Sequence, residues 1–366
     1  MRPLRKIAFL LEEFQVSSPA QQLLDRFLIG YPRQGKFHTP GGLEVSAHLL
    51  LNNVEAGFDK RVEDFHLAAR PNPEAAVAEA DAVVIVPRGA GALPNDGLLR
   101  VALERAPEGA ACFVHGALAS TLDRARQQIE LAGSRKISLL AGTPLAVTWR
   151  LPDTELPPGT ALAEALIVVQ GKSFGAELNG LEGLLPMIER RQGGETGVRG
   201  LQFLEGQKVW RAGDQGLWSW PLLAAAISRS DSPQGDPVKD GRTQDIIGLG
   251  LLPKLAAEPR GWLLEHCDGL RSAILVLDGA VADINVAVRT RDGALFSAQL
   301  FRPPPPGEHH FSRLAEVMEE FFRSGKSPWP LPRNLLIAGL LETFGRASTR
   351  FARQVKTPEL AIAYAR

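Results

Sequence analysis

The chain has 366 residues, enough for two domains with separate cores, and its 41 basic residues balance 41 acidic ones, so no global field draws it to nucleic acid or to an anionic membrane. Its two cysteines, Cys112 and Cys267, make neither a disulfide framework nor a zinc spacing. Arg2, Arg5 and Lys6 precede an apolar run that stops at Glu12, too short for a secretory signal, and no stretch is long and apolar enough to span a bilayer; the expected setting is cytoplasmic.

In chain order, a buried strand is expected at Lys6 to Leu11, then a helix that begins at Ser18-Pro19 and runs to Phe27-Leu28. The Gly- and Pro-containing segment from Tyr31 to Gly42 reads as a long loop. Further strands are expected at Leu43–Leu51, Phe65–Ala69, Ala82–Val86, Ala111–Val114 and Ile137–Ala141. Helices fit between them at Pro73–Ala80 after the cap Asn72, at Leu98–Ala106 after the turn Pro94–Gly97, and at Leu122–Leu131 after Ser120-Thr121. This alternation predicts an α/β domain over residues 1–150, a Rossmann-like doubly wound parallel sheet.

Residues 151–366 have another texture. Strands are expected at Ala163–Val169, Gly197–Leu204, Gly261–His266, Ala273–Leu277, Ile284–Val288 and Leu295–Phe301. The turns Asp278-Gly279 and Arg291-Asp292-Gly293 make the last three of these consecutive antiparallel hairpins. Helices are expected at Ala176–Arg191, Leu222–Ser228, Phe311–Arg323 and Asn334–Thr349, with Pro303 to Gly307 a stiff linker and Asp231 to Thr243 an exposed loop. The pattern predicts an α+β domain with an open, mostly antiparallel sheet, whose last helix is free to pack back on the first domain.

A dinucleotide site requires G-x-G-x-x-G after the first strand, so that backbone can approach a pyrophosphate at a helix N-terminus. Here the turn is Glu12-Glu13-Phe14-Gln15-Val16-Ser17-Ser18: it lacks glycine and places two carboxylates where phosphate would sit. If a nicotinamide cofactor binds, Ser17 and Ser18, with Gly89 and Gly91 after the fourth strand, are the places for it; the loop sequence argues against NAD and NADP.

His115 ends a parallel strand, where open α/β sheets bind ligands, and is either catalytic or a packed rim histidine. On the 176–191 helix, Leu178, Leu181, Leu185 and Ile188 make an apolar face, while Glu182 and Glu189 share another. That second face is either solvated or turned to a cleft, with Glu182 as acid or base. Trp149 and Arg150 suit a sugar ring or an anion, or else an inter-domain ion pair. Glu189, Arg190 and Arg191 end the helix, where an arginine complements the dipole, pairs with Glu195-Thr196, or grips a ligand anion. His309 and His310 are adjacent, point apart on a helix, and read as surface or capping groups; the histidines give no metal signature.

The C-terminal segment His310–Pro330, with Gly325-Lys326-Ser327-Pro328-Trp329-Pro330, then Leu335 to Ser348, resembles the glucose-fructose oxidoreductase / inositol dehydrogenase (Gfo/Idh/MocA) family, which has a similar helix, a TGK-P-P turn and an Ala/Ser-rich helix there. The run Ala80–Pro87 is similar to its fourth strand. The runs Ala141–Pro152 and Glu189–Gly197 resemble an uncharacterised bacterial branch of it. The resemblance implies a Rossmann domain, an open-sheet domain, a sugar- or polyol-like ligand, an oxidoreductase-like activity and a homo-oligomer. The sequence departs from the family at the glycine loop, at the acidic end of the second strand (here Asn52-Asn53), and at the family lysine, replaced by Val114-His115-Gly116-Ala117. It departs again at a histidine/aspartate pair, where Asn179 and Glu182 stand. Two functions remain open: an enzyme acting on a carbohydrate-like polyol through His115, Arg150, Asn179 and Glu182, or a non-catalytic ligand- or partner-binding subunit that kept the fold.

Overall fold

The computed structural model describes residues 4–51, 57–89, 96–153, 155–171, 175–231, 245–349 and 354–365. The chain forms two compact units, Met1–Val147 with Arg302–Ala338, and Thr148–Phe301 with Gly339–Arg366. A single cut at residue 150 therefore misplaces residues 302–338, which return to the first unit.

The strands of the first unit are β1 (Lys6–Glu13), β2 (Tyr31–Arg33), β3 (Lys36–His38), β4 (Glu44–Leu51), β5 (Ala68–Ala69), β6 (Ala82–Val86), β7 (Ala111–His115) and β8 (Ser138–Gly142). Six of them make a sheet in the order β5-β4-β1-β6-β7-β8, every pair parallel, which is the doubly wound order with its switch point between β1 and β6. Alternation splits β1 between two cores: Ile7, Phe9 and Leu11 pack into one, Ala8 and Leu10 into the other. The first core is closed by the Pro19–Leu28 helix and by the His310–Ser324 helix, with Phe27 contacting both Phe9 and Phe322. The Leu331–Thr349 helix begins here, and Asn334 and Trp329 both donate to the Ala141 carbonyl on β8.

Two expectations change in this unit. The segment after Tyr31 carries the antiparallel ribbon β2–β3 rather than an unstructured loop, because Tyr31 and His38 both reach Glu319 and gain a partner sequence alone does not show. The strand expected from Phe65 shrinks to Ala68–Ala69, since Phe58–Phe65 is helical. Asn52, Asn53 and Gly91 lie outside the described residues.

The second unit holds β9 (Arg150–Leu151), β10 (Leu162–Val169), β11 (Val198–Glu205), β12 (Arg260–His266), β13 (Arg271–Val276), β14 (Asn285–Thr290), β15 (Leu295–Leu300) and β16 (Gln354–Lys356). They form one sheet, β16-β11-β12-β13-β10-β14-β15-β9, antiparallel except for β10 against β13. The expected hairpin between β13 and β14 is absent: β10 inserts between them, so the hairpins are β12–β13 and β14–β15. The turn Asp278-Gly279 thus opens a crossover, a choice that local turn chemistry cannot reveal. The Pro303–Gly307 segment contains a turn at 305–307 rather than a stiff extended linker.

One sheet face carries the Gly175–Ile188 helix. A Cβ on Gly180 would stand 2.5 Å from Ile274, and one on Gly183 2.5 Å from Leu300, so glycine sets this close approach. The other face packs on the Gln207–Asp214 and Trp220–Ile227 helices, through Trp210 and Trp218 among Leu166, Val168, Leu204 and Leu275.

Candidate functional site

At the switch point, β1 ends in Glu12 and Glu13, and the loop after β6 meets both. Glu12 accepts from the Arg88 amide at 2.9 Å, and Glu13 pairs with the Arg88 guanidinium at 2.6 Å. Beyond them Phe14 is fully buried, edge-on to Phe58, with the Arg61 guanidinium over its ring. The next turn satisfies its own donors. Gln21 Oε1 accepts from the Ser17 amide, and Ser18 Oγ accepts from the amides of Gln15 and Gln21. Pro19 supplies no amide hydrogen. A pyrophosphate here would face two carboxylates, a buried phenyl ring and a helix terminus already capped by its own side chains. The residues present do not fit a dinucleotide in the usual pose. Gly89 has φ of 72°, as a tight turn requires, and adds only backbone.

Farther along the same edge, His115 ends β7 and is 4% exposed, and neither ring nitrogen has a partner among the described residues. Its ring stacks on Phe311 with centroids 6.0 Å apart. Burial pushes its pKa down to about 4. His310, at the start of the His310–Ser324 helix, is also buried. Its pKa falls to about 4, first through burial and then through the positive charge of Arg302 and Arg26. Arg26 staples the region: Nη2 donates to the carbonyls of Gly307 and Glu308, Nε to Ser312 Oγ, and Nη1 to Gln22. His309 and His310 do not share a role: His309 takes the cap position without a side-chain cap bond, while His310 is core rather than surface. Among the described residues, no group of three or more His, Cys, Asp or Glu could hold a metal ion.

In the second unit the Gly175–Ile188 helix is buried almost all round, so the solvated-face reading of Glu182 and Glu189 is wrong: they are 1% and 0% exposed. At Glu189 the cover comes from the C-terminal segment. Tyr364 Oη donates to Glu189 at 3.3 Å, and Tyr364 pairs through backbone with Glu195. Asn179 is half-buried on the same helix. Glu189 and Arg190 diverge, since Arg190 pairs with Glu155 at 2.8 Å. Glu155 also lies 3.6 Å from Arg150, so Arg150 and Arg190 are joined through a residue not singled out by the sequence. Trp149 is 45% exposed, beside Arg150 on the edge strand β9.

A dense polar cluster centres on Glu195, which the sequence offered only as a partner for the arginines at the helix end. Glu195, fully buried, accepts from Arg191 at 2.8 Å, meets His266 Nδ1 at 2.9 Å and accepts the amides of Thr196 and Gly197. His266 Nε2 reaches Ser272 Oγ at 2.9 Å, and Arg191 also pairs with Asp268. Burial alone would push the Glu195 carboxyl up, but His266 and Arg191 outweigh it and hold it at about 2. The expected pairing of Arg191 with Glu195 is present; His266 lies too far away in sequence to have been linked to it. Glu195, Arg191, His266 and Ser272 are buried and bonded, with Asp268 half-buried at the edge, as in a structural network.

No protein-family model matches the sequence, and no curated protein matches it. Solved structures do. GenD2 from gentamicin A biosynthesis, solved in complex with NAD, shares 12% identity over 97% of each chain with a TM-score of 0.62. The myo-inositol dehydrogenase of Lactobacillus casei, solved with NAD(H) and myo-inositol, shares 14% over 97% of each chain at 0.57. A probable dehydrogenase from Thermotoga maritima shares 14%, covering 97% of this chain and 99% of its own, at 0.58. The chain has the fold of these dehydrogenases, as the resemblance read from the sequence implies, at an identity that marks wide divergence.

Proposed function

We propose that this chain is a dehydrogenase-fold protein that binds a sugar- or polyol-like small molecule without a nicotinamide dinucleotide. The observation that carries the reading is the tie of Glu12 and Glu13 to Arg88 at the switch point, where the fold's cofactor phosphates would lie. The polyol part rests on likeness to proteins such as the L. casei enzyme, solved with myo-inositol. Catalysis by His115, Asn179 or Glu182 is not needed for it. The test is calorimetric titration with oxidised and reduced NAD and NADP, beside myo-inositol and simple hexoses. We expect no heat from the dinucleotides and a saturable signal from a polyol. Micromolar dinucleotide affinity would overturn the first half and restore a hydride-transfer enzyme.

A homo-oligomer in the cytoplasm fits this reading. The second unit's sheet leaves an open groove of about 820 Å³, lined by Gln202, Leu263, Glu265, Arg271 and Lys356 among others, with both charge signs as a self-complementary face needs. Light scattering on the purified chain tests it; a monomer at all concentrations removes it. Among the described residues, no helix is long and apolar enough to cross a membrane.

A further inference from the structure

We infer that the end of β7 and the first turn of the His310–Ser324 helix form a seat for a small oxyanion, a carboxylate or a phosphate-like group, received by the ring nitrogens of His115 and His310. The first observation is an unmet donor. A neutral imidazole carries one N–H whichever tautomer it adopts. Both nitrogens of His115 are buried without a partner, so its N–H is unmet in either tautomer. His310 Nδ1, directly before Phe311 in the same first turn, is also buried without a partner among the described residues. Buried polar groups are nearly always paired, and clustered exceptions need an explanation such as a missing ligand.

The second observation is the sign of the surroundings. The ring of His115 lies on Phe311, in the first turn of a 15-residue helix whose N-terminus carries partial positive charge. Arg26 and Arg302 add full charges felt by His310, and His309 precedes it. The one carboxyl in the group is Glu308, whose Oε2 is buried and unpartnered. Burial raises the Glu308 pKa while Arg26 and Arg302 lower it, and burial wins. The unmet imidazole donors and the cationic neighbours favour an incoming anion, while the group's own carboxyl is held toward its neutral form and does not compete as a charge. An oxyanion would accept from the imidazole N–H groups and draw protons onto the rings, so its binding is linked to proton uptake.

This goes beyond the polyol reading and does not depend on it, because the probe is an inorganic ion. Sulfate, which stays a dianion throughout, is titrated by calorimetry into the full chain from about pH 8 to about pH 6. Saturable binding that strengthens several-fold as pH falls is expected, with phosphate and acetate as further arms that separate phosphate-like from carboxylate ligands. His115→Gln and His310→Gln should each weaken sulfate about tenfold, one lost charge-assisted bond. Glu308→Gln should strengthen it, an effect that a merely structural role would not produce. If none of the three anions binds, or if binding is unmoved by His310→Gln and Glu308→Gln, the inference is overturned, even where His115→Gln fails to fold.

Discussion

Arg88 Nε lies 2.6 Å from a carboxylate oxygen of Glu13, fastening the loop after β6 to the end of β1. In a doubly wound sheet these two strand ends flank the switch-point crevice, so the ion pair spans the place where ligands of this fold class bind.

Because Arg88 is largely exposed, the pair is worth little as stability. Arg88→Ala should lower the unfolding free energy by no more than about 1 kcal/mol, read from urea midpoints. It should also leave dinucleotides unbound in calorimetry, since Phe14 and the self-capped turn at Ser17 and Ser18 remain. Gain of NAD binding on this one change would show that the ion pair alone blocks the crevice.

Much of this architecture is legible in local sequence. Ser18-Pro19 and Asn72-Pro73 announce helix starts; Asn72 caps as expected, and Ser18 caps its helix as well. Short apolar runs place β1, β6 and β7 almost to the residue, because strands buried on both faces leave little ambiguity. What escapes depends on distant partners. The β2–β3 ribbon is secured by Glu319, β10 inserts between strands that look like a hairpin, and Glu189 is buried by Tyr364. Nothing near Glu189 in sequence signals that cover, so its helix face reads as solvated. His115 stands out from sequence alone because it ends a parallel strand, whereas its unmet nitrogens emerge only in three dimensions.

The Glu195 network predicts acid sensitivity. Its carboxyl is held at about 2, below the ordinary glutamate value, so the stabilisation is complete above the unfolded-state pKa and is lost as pH falls from about 5 toward 2. The contribution is about 3 kcal/mol at most. Glu195→Gln should cost about 3 to 5 kcal/mol near neutral pH, because Arg191 and His266 lose their shared anion. Urea midpoints measured across this range should slope less steeply in the variant than in the parent. Equal slopes would mean that other carboxylates account for the acid response.

Gly197 has φ of 84°, and a Cβ there would stand 2.3 Å from both the Leu360 carbonyl and the Ile362 amide. Those atoms belong to backbone and cannot swing aside. Gly197→Ala should therefore destabilise by about 3 kcal/mol and loosen the segment that carries Tyr364. Hydrogen exchange at Tyr364, whose amide donates to Glu195 at 2.8 Å, should accelerate. Unchanged protection would show that the segment does not rely on this close approach.

His115 titrates in the opposite sense to a paired histidine. Burial holds its folded-state pKa at about 4, below the ordinary value near 6.5, so the unfolded chain binds more protons between the two. Stability is full above about pH 6.5 and declines as pH falls toward 4; between pH 7 and pH 5 the loss from this one group is about 2 kcal/mol. His115→Leu keeps the contact with Phe311 and removes the proton. Its unfolding free energy should fall less than the parent's between those two pH values, by that same amount, while remaining close to the parent's at pH 7. Parallel declines in the two proteins would mean that His115 already finds a partner in solution, which would also remove the unmet donor on which the proposed anion seat depends.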